Sequence, residues 1–135
     1  MNTATARYAG HLRTEATHVA SGNLIQTDAP TDNHGRGEAF SPTDLVSTAL
    51  GACMMTVMGI VAERHQLNLV NSTFAVTKHM STEAPRRIAQ IDVTFTLPAG
   101  LSATERALLE RSAHTCPVTL SLHPDIRQNV VFEYN

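Results

Sequence analysis

The stretch SPTDLVSTALGACMMTVMGIVAER, residues 41–64, decides how this chain folds. Ser41 suits a helix N-cap, Pro42 the first helical position, and Asp44 the acid of a capping box, whose carboxylate reaches back to the cap N–H. No proline interrupts the stretch from Leu45 to about Arg64. Leu45, Ala49, Ala52, Cys53, Val57, Ile60 and Val61 fall at helical spacing, and small or apolar residues continue around most of the circumference. A helix apolar on every side belongs in an interior. Gly51, Ala52 and Gly59 would let a second backbone approach it closely. By length alone the segment could cross a bilayer, but its Gly, Cys, Thr and Met content suits a buried helix in water better.

Upstream, residues 5–19 alternate loosely and read as a first strand. Ser21-Gly22-Asn23 makes a turn and Leu24 to Thr27 a return strand, giving a hairpin. Asp28 to Glu38 carries Pro30, Asp32, Asn33, Gly35 and Gly37. It is the one long polar loop, of a kind that often carries function.

Downstream, Val70–His79 and Ile88–Leu97 alternate with strand period, and Thr82–Arg87 with Pro85 joins them. Ser102 and Glu105 form a second capping box, opening a helix to about His114. Pro117 suits the first position of a short helix ending near Leu122. Asn129–Tyr134 reads as a closing strand. The order strands, long helix, two strands, helix, strand predicts an α+β fold, an antiparallel sheet backed by a long buried central helix, in a single domain over residues 1–135.

With 135 residues and a formal charge of −2, the chain has no basic footprint for nucleic acid. Trp is absent, which argues against base-stacking platforms. Met1 to Gly10 lacks the apolar core of a signal peptide, so a soluble, cytoplasmic protein with no membrane partner is expected. Glycine-rich phosphate loops, nucleophile elbows and H-E-x-x-H are missing from the sequence.

Two cysteines in a reducing compartment leave three readings: redox chemistry, metal ligation, or two inert core thiols. Cys53 lies in mid-helix, where the dipole helps little, so a reactive thiolate there needs a cation from elsewhere. Cys116 precedes Pro117 and so stands at a helix N-terminus, whose N–H groups favour a thiolate. His114 and Cys116 have no second ligand pair at zinc spacing, with His123 seven positions after Cys116, so no metal is expected.

The segments Ser41-Pro42-Thr43-Asp44-Leu45, Ala49-Leu50-Gly51-Ala52-Cys53 and Ala113-His114-Thr115-Cys116-Pro117-Val118 resemble the OsmC/Ohr family of osmotically inducible and organic hydroperoxide resistance proteins. The resemblance extends to element order over most of the chain. It implies an intertwined homodimer with active sites built from both subunits. It further implies a peroxidatic Cys53, a resolving Cys116, organic hydroperoxide substrates, no bound cofactor, and a dithiol reductant of lipoyl or thioredoxin-like type.

The family also places an Arg and a Glu around the first cysteine. Arg36 in the polar loop is the first candidate for the cation and Arg13 on the first strand the second. The family's acid commonly follows the helix-start Pro, where this chain has Thr43, a departure in which it resembles a divergent OsmC-like branch. Asp44 is accounted for by capping, and Glu38 is the loop carboxylate that could substitute. The rival reading is a catalytically weak family member that binds an apolar ligand at the dimer interface, with Phe40, Met54, Met55 and Met58 as pocket lining.

Overall fold

A computed structural model describes every residue from Met1 to Asn135, and the chain divides into two compact units, Met1–Val46 and Ser47–Asn135. In the first, β1 (Ala4–Gly10), β2 (Arg13–His18) and β3 (Leu24–Asp28) form an antiparallel sheet in that order. The single strand expected over residues 5–19 is therefore two. The chain reverses at Gly10-His11-Leu12, with φ of 87°, 54° and 63°. His and Leu rarely enter the left-handed region, so nothing but Gly10 announced this turn.

After β3 the polar loop contains one 3-10 turn, Thr31–Asn33, and is tied across its neck by the Asp28 N–H donating to the Phe40 carbonyl at 3.0 Å. Gly35 is obligatory there: a Cβ would stand 1.8 Å from the Ala29 carbonyl oxygen. The loop delivers the chain to α1 (Pro42–Arg64), whose start is the expected capping box. Asp44 N–H donates to Ser41 Oγ at 3.0 Å, and Ser41 N–H donates to Asp44 Oδ2 at 2.9 Å.

The second unit holds the rest of α1, then β4 (Thr73–Met80), β5 (Ile88–Leu97), α2 (Ala103–Ala113), α3 (Pro117–Ser121) and β6 (Arg127–Tyr134). The sheet order is β4-β5-β6. β4 and β5 pair antiparallel as expected, with Val76 opposite Val93. β6, however, joins β5 in parallel, with Val93 opposite Val130. The reason is the connection: the chain crosses back through α2 and α3, and only such a crossover can return a strand in the same direction. The α+β expectation stands, with two three-stranded sheets in place of one antiparallel sheet.

The core of this unit is set by one face of α1. Leu50, Met54, Met58 and Ala62, each four residues apart, pack with Ile91, Val93, Phe95 and Leu97 of β5 and with Leu109 and Ala113 of α2. The Phe95 ring lies between those of Phe74 and Phe132, at centroid distances of 5.8 and 5.4 Å. A Cβ on Gly51 would come within 2.6 Å of the Phe74 ring, so this glycine brings β4 onto the helix.

α1 is not buried around its whole circumference, as its composition suggested. Val46 and Ile60 remain 39 % and 47 % exposed, and a Cβ on Gly59 would meet nothing within 4 Å. The helix is long and apolar enough to cross a membrane, and 33 % of its apolar window is buried within this chain.

Candidate active site

Two turns of helix bring the cysteines together. α2 ends at Ala113, and the Thr115 hydroxyl donates to the Ser112 carbonyl at 2.7 Å, closing the turn that leads into α3. Cys116 is the N-cap of α3, with extended backbone at φ −67° and ψ 143°. Its sulfur accepts the Thr119 N–H at 3.3 Å, and the Thr119 Oγ1 lies 3.1 Å from the same sulfur. Pro117, at the first helical position, has no N–H of its own to offer.

The next donor, the Val118 N–H, is directed at Cys53. The first turn of α3 therefore supplies one amide to each sulfur. Gln128 of β6 anchors the turn from the other side, its Nε2 donating to the Thr119 carbonyl at 3.2 Å.

Cys116 is wholly buried and Cys53 only partly so. Burial pushes the Cys53 thiol above its usual value; the Val118 N–H opposes that shift, and the hydrogen bond and charge of Cys116 add to it. Both sulfurs are free thiols. The Cys116 side chain is hydrogen-bonded to Cys53. No group of three or more His, Cys, Asp or Glu side chains is placed to hold a metal; His114 is exposed and sets its ring edge-on to Phe132 at 6.2 Å.

The first unit carries the remaining expected residues. Arg13 is gripped by Asp28, its Nε and Nη2 donating to the two carboxylate oxygens at 2.7 and 2.8 Å. The Glu38 carboxylate stands 3.6 Å from Arg13 Nη2, and the Glu38 N–H donates to Asp28 at 3.2 Å. The hydrogen bonds from Arg13 hold the Asp28 carboxyl below the usual carboxylate range, with a smaller contribution from the charge of Arg36. Arg36 itself is exposed.

Sequence reasoning ranked Arg36 first and overlooked Asp28. Its one available signal was position: an acid at the end of β3, opposite Arg13 in the β2–β3 register. Asp44 serves the helix cap. Met54 and Met58, offered as pocket lining, are fully buried core residues; Phe40 is exposed and Met55 partly buried.

The chain belongs to the OsmC-like protein family, whose profile matches residues 35–130. Its fold and sequence are similar to those of a Psychrobacter arcticus protein provisionally named an osmotic stress induced and detoxification response protein. The two share 44 % identity over 98 % of this chain and 96 % of that one, with a TM-score of 0.94. The same fold is seen in an organic hydroperoxide resistance protein from Legionella pneumophila, at 16 % identity, 98 % coverage of each chain and a TM-score of 0.75. An organic hydroperoxide resistance protein from Elizabethkingia anophelis shares it too, at 15 % identity, 100 % and 98 % coverage and a TM-score of 0.77. No curated protein matches the chain significantly.

Proposed function

We propose that the protein is a cytoplasmic, homodimeric thiol peroxidase that reduces organic hydroperoxides through Cys53 and Cys116. The observation that carries this is the pair of free thiols served by adjacent amides at the start of α3. The Cys53 thiolate attacks the O–O bond, which breaks; the sulfur becomes a sulfenic acid and the alkoxide leaves, taking a proton to become the alcohol. The Cys116 thiolate then attacks Cys53 Sγ, forming the disulfide and releasing hydroxide, which is protonated to water. An external dithiol of lipoyl or thioredoxin-like type restores both thiols and is itself oxidised to a disulfide.

Burial raises the Cys53 thiol, so this chemistry requires a guanidinium as counter-charge. Arg36 and Arg13 are the two candidates; Asp28 and Glu38 hold Arg13, and Arg36 is at the surface. The homodimer is supported by apolar surface left uncovered in the single chain: Leu24 and Ile25 are 73 % and 52 % exposed, and the outer face of α1 adds Ile60.

The test is direct. Reduced protein mixed with cumene hydroperoxide is expected to lose both thiols rapidly and consume peroxide. Cys53→Ser abolishes the reaction, and Cys116→Ser halts it at a sulfenic acid. Arg36→Ala and Arg13→Ala, made separately, identify the activating arginine: its loss slows thiol loss by about tenfold or more, the scale of one lost charge interaction. Thiols that persist in the parent protein would instead indicate a non-catalytic member of the family.

A further inference from the structure

We infer that Thr119 is a positioning residue for the resolving step, its hydroxyl holding the Cys116 sulfur ionised and aimed at Cys53. The geometry separates this role from ordinary helix capping. An N-cap side chain needs only the backbone donor, and the Thr119 N–H already provides it at 3.3 Å. The hydroxyl, 3.1 Å from the same sulfur, is a second contact that capping does not require.

Either atom can donate in this contact while the sulfur is a neutral thiol; once the sulfur is ionised only the hydroxyl can, and an ionised acceptor binds a donor about twice as strongly as a neutral one. Cys116 is wholly buried, so water cannot supply that donor. The anchor from Gln128 to the Thr119 carbonyl fixes the residue from behind. Pro117 precludes a third amide in the turn, so once Val118 is directed at Cys53 the Thr119 hydroxyl is the donor left over for an ionised Cys116.

This role rests on Cys53 and Cys116 acting as a redox pair, and the test needs no peroxide. Cys53 is first converted to a mixed disulfide with one equivalent of dipyridyl disulfide, with Cys116→Ser as the control that places the adduct. Cys116 then attacks Cys53 Sγ; the bond from Cys53 to the pyridyl sulfur breaks, the protein disulfide forms, and pyridinethione is released and read by absorbance.

Loss of one hydroxyl donor should lower the thiolate fraction at neutral pH by roughly tenfold. The more basic sulfur left behind is roughly threefold more nucleophilic, given a Brønsted slope of about 0.4–0.5. Thr119→Val should therefore release pyridinethione about threefold more slowly at neutral pH and about threefold faster at strongly alkaline pH, where every thiol is ionised. Thr119→Ser should follow the parent at both ends, and Thr119→Ala should show the same crossover as valine. Superimposed profiles overturn the role, as does slowing by the same factor at every pH, which marks a packing effect. So does a serine variant that behaves like valine. Failure of the cumene hydroperoxide reaction with the crossover intact would sink the peroxidase reading alone.

Discussion

In residues 1–46 every buried side chain is polar, namely Thr27, Asp28 and Ser41, whereas residues 47–135 bury a continuous apolar set running from Leu50 on α1 to Leu109 on α2. The first unit is held by a guanidinium–carboxylate fork, a hydroxyl pair between Thr14 and Thr27, and a capping box. The second is held by Phe95 between two other rings and by methionines filling the face of α1. Directional bonds fix geometry but contribute little net stability, while apolar burial contributes stability without direction. A unit with no apolar interior carries its apolar residues outside, and Tyr8, Leu24 and Ile25 are all exposed.

That contrast can be broken most forcefully in the second unit. Phe95→Ala removes the central ring of the core and should cost about 3–5 kcal/mol in urea unfolding; a loss below about 1 kcal/mol would mean the ring stack is not what holds the sheet to α1. Next in size is Gly51→Ala, where the added methyl meets the Phe74 ring, and overpacking of this kind costs about 1–3 kcal/mol. The matching substitution on the open side of the same helix, Gly59→Ala, sharpens the comparison. In an isolated chain it should stabilise by about 0.5–1 kcal/mol through helix propensity. Destabilisation, made stronger by dilution, would instead place a second chain against that face.

The smallest effect lies in the first unit and shows as a slope. Arg13 holds the Asp28 carboxyl below its usual range, so the stability it contributes is fully present above the unfolded-chain value near 4. It is lost as pH falls through the lower folded-state value. Asp28→Asn should flatten this acid limb of the stability profile while leaving the unfolding of residues 47–135 unchanged; an unaltered limb would show that the fork contributes nothing to folding.

Much of the architecture could be read before any coordinates because local signals and global fold agree. Ser41 and Asp44 set the start of α1, Ser102 and Glu105 that of α2, and strict alternation marks Ile88–Leu97 as a strand. Cys116-Pro117 announced an N-cap. What stayed hidden has physical causes. A helix apolar all round does not say which face is inside, so Leu50 and Ala62 were not singled out, and Met54 and Met58 were offered as pocket lining. His11 and Leu12 turn the chain in a backbone region their side chains seldom adopt. The parallel return of β6 depends on a crossover, which no local pattern encodes. Asp28 was passed over because its importance lies across a strand pair, in Arg13.

Cys116 has no contact with solvent, while Cys53 keeps some. An oxidant arriving from water meets one sulfur first, and the hidden one holds its electrons until its neighbour has changed. Damage beyond recovery, a sulfinic acid, requires a second oxidant to reach Cys53 before a thiol already beside it does. In the proposed reaction, concealing Cys116 keeps it reduced until Cys53 has been oxidised, so that the resolving thiol is still there when it is needed.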